Sequence, residues 1–392
     1  MKFACSSYPP LKIGTLLALI LGAVNFSYTN KTASEKCGNT RHYTNYMCSK
    51  NSFHNIHIKL GLSFIAIALS FWANSTTING NLPSLVEVKE WHVVWGGRPR
   101  DPYVAPDGSV WFCGQSGNYI ARFDPQTEKM TRILLPFGAH PHNLIIDAQG
   151  QVWYAGNRDA HIGKLLPNTD KPEKFATPKG VTDPHTLVFN HQQQIWFTAQ
   201  HSNVVGLFSP KTGEVISIPI PLDDARPYGI VVDNNNRPWT TLFGTHYLLY
   251  VNPETFEPHL VEIPRKNARP RRLAISQKNQ VWYVDYSGNK LGMYDPKHKE
   301  FSEWPMPSGA GSRPYGMAID HQDRLWIAET GVSPNRIVIF DTQSKTFISS
   351  TPIPSGGAIR HMTFDNERAL VWFGVDTGYL GNISMKRPGL EH

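Results

Sequence analysis

The sequence predicts an all-β fold: a seven-bladed β-propeller of four-stranded antiparallel blades, with an N-terminal strand closing the last blade. Three observations predict it. Seven of the eleven Trp residues, Trp111, Trp153, Trp196, Trp239, Trp282, Trp326 and Trp372, recur at spacings of 42, 43, 43, 43, 44 and 46 residues. Around each lies a short β-rich run behind a polar turn, as in Gln194-Ile195-Trp196-Phe197-Thr198 or, for the turn, Asp147-Ala148-Gln149-Gly150. No stretch sustains the 3.6-residue apolar period of a helix, so a repeat in the low forties reads as a blade and not as a helix pair.

Before the repeats stands a leader, residues 1 to 80, with two short apolar runs, Ile13 to Phe26 and Leu60 to Phe71. Both are short for a membrane span, and both carry the basic flank of a secretory signal. Met47 is the expected working start, with cleavage near Ala73 to Ser75; an uncleaved anchor is the alternative. The chain is therefore expected to be exported, periplasmic or secreted, with membrane contact only through an uncleaved leader. Residues 81 to 392 form the propeller.

Each unit opens on a Pro twelve residues before its Trp: Pro99, Pro141, Pro184, Pro227, Pro270 and Pro314, with Arg360 in the seventh. Proline suits the first residue of a strand, where its missing N–H removes no ladder bond. The Trp lies in the second strand and is expected to pack between blades. An Asn-x-apolar-Gly-like step follows, as in Asn203-Val204-Val205-Gly206, then an Asp-Pro or Ser-Pro turn and a fourth strand ending in Pro. The seventh unit stops short of its outer strand, while Val86-Glu87-Val88-Lys89-Glu90-Trp91 resembles Phe301-Ser302-Glu303-Trp304-Pro305. That N-terminal run is expected to complete the last blade and leave no open edge.

Composition excludes several functions. With 392 residues, 40% hydrophobic and 18% charged, the chain is neither a disordered tail nor a coiled coil. Its formal net charge is +7, yet residues 1 to 80 hold seven of the bases and one acid, so the propeller is near neutral. Nucleic acid is therefore not an expected partner. Of four Cys, Cys113 alone lies in the propeller, so no internal disulfide and no Cys-based zinc site is expected there. No GxSxG, GxGxxG, phosphate-binding Gly loop or HExxH occurs, which leaves a nucleophile-based hydrolase unsupported.

Because every blade begins its inner strand at the same place, the residue after the Pro position should repeat around one mouth of the channel. These residues are Arg100, His142, His185, Tyr228, Arg271, Tyr315 and His361. A second series precedes the Pro position: Arg98, His140, Asp183, Arg226, Arg269, Arg313 and Ile359. Together they predict a cationic mouth for a ligand bearing carbonyls, phenolates or carboxylates. Polar channel linings also serve to satisfy loop backbone groups, but seven polar residues in register point further than that. Asp285 and Glu329, three residues after their Trp, and Asp376, four after Trp372, are acids at the end of the second strand. Each could answer an Arg, or beside a His hold a divalent cation or orient the base.

The unit Arg-Pro-Tyr-Gly, three apolar residues, Asp and then Trp, clearest in residues 226–239 and 313–326, resembles the streptogramin B lyase (virginiamycin B lyase) family over residues 85 to about 385. The resemblance implies a seven-bladed propeller and a magnesium-dependent elimination. Such enzymes open a cyclic depsipeptide at its ester by removing a proton alpha to a carbonyl, without consuming water. Its general-base position falls on His361. A family Glu falls on Ile359, which can neither bind a metal nor orient an imidazole. The second family His falls on Tyr315, a late Glu that helps hold magnesium falls on Asp376, and Arg360 stands at a family Pro. The expectation is a monomeric lyase acting on a small-molecule or cyclic-peptide ligand. In it His361 takes the proton, Tyr315, Arg271 or Arg313 stabilises the enolate, and Asp376 orients His361. Arg100, His142, His185 and Tyr228 would complete the substrate site, and Asp376 and Glu329 are the candidate ligands for Mg2+. The alternative is a non-catalytic propeller that binds a small ligand, glycan or protein at the same mouth.

Overall fold

A computed structural model describes residues 82–166, 169 and 171–386. The leader, with both apolar runs, Met47 and the expected cleavage position, lies outside them. The described residues form 28 strands in seven four-stranded antiparallel sheets. Six sheets take four consecutive strands, from Pro99–Val104 through Lys129–Leu134 in the first blade to Pro314–Ile319 through Thr346–Pro352 in the sixth.

The seventh blade runs Ile359–Asp365, Leu370–Val375, Tyr379–Met385 and then back to the N-terminal strand Val86–His92. Val86 faces Met385 and His92 faces Tyr379, so the first strand supplies the last outer edge. The preceding residues bind the sixth blade: the Ser350 N–H donates to the Pro83 carbonyl (3.1 Å), and the Leu85 N–H to Ser349 Oγ (3.1 Å). Ser355 donates to the Glu90 carboxylate through its backbone N–H (2.8 Å) and its hydroxyl (2.7 Å). The ring closes through a strand distant in sequence, which removes the edge a short seventh unit would expose.

The repeated Trp sit in the second strand, and six of the seven are fully buried against the neighbouring blade; Trp111 is half-buried. An acid six or seven residues earlier holds the indole. Trp153 donates to Asp147 (3.0 Å), Trp239 to Asp233 (2.9 Å), Trp326 to Asp320 (3.0 Å) and Trp372 to Asp365 (3.1 Å). The other oxygen of Asp233 accepts the Asn235 and Arg237 N–H groups, 2.9 Å each, so one side chain shapes the turn and satisfies the buried ring. Asn190 and Ser276 replace this acid in blades three and five, and there the Trp196 and Trp282 indole N–H groups have no partner among the described residues.

Candidate functional site at the channel mouth

Every inner strand is irregular where it enters the channel. In blade two Pro141 faces Gly156 and Leu144 faces Tyr154, so His142 and Asn143 stand opposite the single residue Ala155. Comparable bulges occur in all seven blades, between Pro184 and Leu187 in blade three and between Pro270 and Arg272 in blade five, for example. A bulge re-aims consecutive side chains that a regular strand would send to opposite faces. Two rings of residues therefore face the channel, the first and second residues after the Pro position, where the sequence predicts the residues on either side of that Pro.

In blade seven the structure shifts the register by one. Ile359 pairs with Val375, and Asp365, which holds Trp372, lies seven residues before it instead of six. One extra residue sits in the turn, so counting back from Trp372 misplaces the inner strand. Ile359, not Arg360, takes the Pro position, and Ala358, not Ile359, precedes it. Arg360 enters the first ring, beside Arg100, His142, His185, Tyr228, Arg271 and Tyr315. His361 belongs to the second ring, with Asp101, Asn143, Thr186, Gly229, Arg272 and Gly316. The two glycines are steric necessities: a Cβ on Gly229 would lie 2.9 Å from the Arg271 carbonyl oxygen, and one on Gly316 3.0 Å from that of Ile359.

Six of the seven first-ring side chains, from His142 round to Arg360, form a continuous chain of contacts. The His142 and His185 rings lie 3.6 Å apart, and His185 is 4.3 Å from Tyr228. The Tyr228 and Tyr315 hydroxyls are hydrogen-bonded to each other. Arg271 lies over Tyr315 (3.7 Å), Phe243 (4.5 Å), Tyr286 (4.5 Å) and Tyr228 (4.8 Å), and the Arg360 guanidinium is 5.5 Å from the Tyr315 ring. Arg313 is exposed at the rim, 6.0 Å from the Tyr286 ring.

The second ring crosses the channel. Asp101 accepts from Arg100 Nε (2.9 Å), Asn143 Nδ2 (2.9 Å) and Arg272 (3.4 Å). Arg272 also donates to Thr186 Oγ1 (3.2 Å) and to the Arg360 carbonyl (3.3 Å). Asp101 has positive φ, an uncommon backbone state for a residue with a Cβ, and the network fixes it there.

Burial and these arginines set the protonation states. Burial, then Arg272, holds His361 down to about 4, against the pull of Asp101. Burial and the neighbouring guanidiniums also keep His142 and His185 well below the usual imidazole value. All three imidazoles are neutral at pH 7. For Tyr315, burial pushes the phenol up, but Arg271, Arg100, Arg272 and Arg360 together outweigh it and leave it below the usual tyrosine value. Tyr228 is raised, by burial and by the charge of Tyr315.

The acids serve other partners. Asp376 accepts the Ala358 N–H (2.8 Å) and pairs with Arg360 (3.0 Å), so its carboxylate contacts belong to Arg360 and not to His361. Glu329 accepts the Ser308 N–H (3.0 Å) and hydroxyl (2.5 Å), and burial raises it above the usual carboxyl value. Asp285 accepts the Arg269 and Gly288 N–H groups, 2.9 Å each, and pairs with Arg265. Among the described residues no three His, Cys, Asp or Glu side chains are grouped to hold a metal ion. Magnesium prefers an oxygen-rich shell, and this donor set, with guanidiniums around it, does not fit that ion.

Sequence reasoning missed Asp101, Asn143, Thr186 and Arg272, because alternation assigns them to the other strand face. It also missed a third series, four residues after each Trp. From it Gln115 accepts from Arg100 (3.0 Å), Phe243 and Tyr286 sandwich Arg271, and Asp376 pairs with Arg360. Asp376 was visible as one member of that series; its fixed offset was the signal for the rest.

The profile of the virginiamycin B lyase family matches residues 87–383. Among solved structures, a virginiamycin B lyase from Staphylococcus aureus is 21% identical at TM-score 0.70, covering 77% of this chain and all of its own. A catalytically inactive variant of the S. aureus enzyme with quinupristin gives 21% identity and TM-score 0.71 over the same shares. The extracellular domain of a hybrid two-component system from B. thetaiotaomicron is 14% identical at TM-score 0.62, over 78% of this chain and 44% of that one. No curated protein matches the sequence.

Proposed function

The chain belongs to the virginiamycin B lyase family, and from that premise we propose that the channel mouth catalyses an elimination, breaking a C–O bond β to a carbonyl. His361, neutral and with Nδ1 unpartnered, takes the proton alpha to the carbonyl. The electron pair of that C–H bond becomes the new C=C bond while the C–O bond breaks, and the leaving oxygen departs as a carboxylate. No water enters, so a cyclic ester opens without change of mass. Negative charge develops on the carbonyl oxygen, and Arg271 and Arg360 stabilise it. Asp376 is a positioning residue that acts through Arg360 and not through His361.

The observation that carries this reading is Arg271. It is stacked on four aromatic rings, and none of the carboxylates among the described residues pairs with it, so its charge is directed at the mouth. Such preorganised cations do the work a metal would do in stabilising an enolate. A second reading, a ligand-binding propeller without turnover, is supported by the low basicity of His361, since a base works best near the operating pH.

The test incubates the purified chain with quinupristin and with N-acetyl-O-acetylthreonine as its acid and its methylamide. Liquid chromatography with mass spectrometry reads the products. Elimination gives an isobaric ring-opened quinupristin or an unsaturated product plus acetate, unchanged by chelator and abolished in His361→Gln. A product heavier by one water means hydrolysis. No product from any substrate overturns the elimination and leaves the binding reading.

A further inference from the structure

Five polar atoms of the two rings are buried and find no partner among the described residues: one Nη of Arg100, Nε of Arg271, Nε of Arg360, Nε2 of His185 and Nδ1 of His361. Arg100 is 4% exposed and His185 2%. A buried polar atom left without a partner is costly, so a cluster of them marks a place shaped for something else. Charge points the same way. The rings and their direct partners hold four guanidiniums, Arg100, Arg271, Arg272 and Arg360, against two carboxylates, Asp101 and Asp376. Asp101 is shared by Arg100 and Arg272, Asp376 answers Arg360, and Arg271 has aromatic neighbours only.

We propose that the mouth binds a ligand through a carboxylate, seated among Arg100, Arg271 and Arg360 above the Tyr228 and Tyr315 hydroxyls. Guanidiniums match a carboxylate with paired N–H donors, and aromatic stacking holds the Arg271 plane ready for it. The inference deepens the elimination reading and rests on it for the choice of carboxylate. A carboxylate next to the acidic C–H brings one negative charge, proton removal adds a second, and the two uncompensated guanidinium charges match that pair. The lowered phenol of Tyr315 agrees: its environment already favours a negative charge.

The test reads binding first, and turnover of the acetylated acid and amide then separates the two readings. N-acetylthreonine, which has no acyl leaving group, is titrated into the full chain by calorimetry, beside its neutral methylamide and inorganic phosphate. The acid is expected to bind about tenfold or more tightly than the amide, and Arg271→Gln to remove that preference. Arg360→Gln, at a less enclosed position, repeats the measurement should the first variant not fold. The acid should also displace phenolate absorbance near 295 nm to higher pH, because a bound anion competes with ionised Tyr315 for the same cations. Equal binding of acid and amide, no saturable binding of the acid, or tighter binding of phosphate overturns the inference. A charge preference without any elimination removes the reaction and leaves the carboxylate site. Elimination of the amide as fast as the acid removes the carboxylate site and leaves the reaction.

Discussion

The outer blades and the inner rings follow opposite rules. In the blades one solution recurs: Pro opens a strand, an acid holds an indole and Trp fills the seam, and four of the seven indoles bind an Asp in the same way. In the first ring the same backbone position carries Arg, His, His, Tyr, Arg, Tyr and Arg, and those side chains touch each other across blades. Packing demands repetition because each seam faces the same problem. A ligand has no sevenfold symmetry, so the surface that meets it departs from the repeat. The second ring combines both demands: Gly229 and Gly316 yield to a neighbouring carbonyl, while Asp101 and Arg272 cross the channel to each other.

The largest perturbation breaks the scaffold at its closure. Removing residues 82–92 exposes the edge of the strand Tyr379–Met385 and unseats Trp91 from its stack on Trp372, with ring centroids 5.7 Å apart. The expected loss is about 5 kcal/mol or more, about 10 °C in Tm, read by thermal unfolding. An unchanged Tm would show that the seventh blade stands on three strands.

Acid attacks the rings instead. His361 is held near 4, and His142 and His185 are also lowered, whereas the imidazoles of the unfolded chain protonate near 6.5. Between those values the unfolded chain binds more protons, so stability falls as pH drops from about 6.5 through 4. For His361 alone the loss is on the order of a few kcal/mol. Unfolding in denaturant at pH 7, 5.5 and 4.5 should show the slope, reduced in His361→Gln; a flat profile would contradict the neutral rings.

Within the scaffold, Asp233→Ala leaves the Trp239 indole and the Asn235 and Arg237 amides without their acceptor. It is expected to cost about 2 kcal/mol, with ligand binding at the mouth unchanged. The smallest effect runs the other way. Ser276→Asp offers the unpartnered Trp282 indole the acid other blades have, for a gain of up to about 1 kcal/mol in denaturant unfolding. No gain would mean that blade five has relaxed around its serine.

Much of this was legible in the chain. Seven Trp at a near-constant period read as seven blades, and the match between Val86–Trp91 and Phe301–Pro305 read as the closing strand. Arg100, His142, His185, Tyr228, Arg271 and Tyr315 were legible as one ring, because a repeated backbone offset carries them to one height. His361 was misread by one position, since a single residue added to the turn after Asp365 is invisible to counting from Trp372.

By itself, then, the sequence determined the repeat, the number of blades, the closure and the cationic chemistry of the mouth. All of these rest on local patterns: strand alternation, turn residues and spacing along one chain. Only the tertiary structure decided that two residues per blade face the channel, that Arg360 replaces His361 in the first ring, and that Arg272 meets Asp101 across 171 residues of chain. Those facts depend on bulges and on ring closure. Both are set by how blades pack side by side, and a linear period carries no record of which side chains meet when the ring shuts.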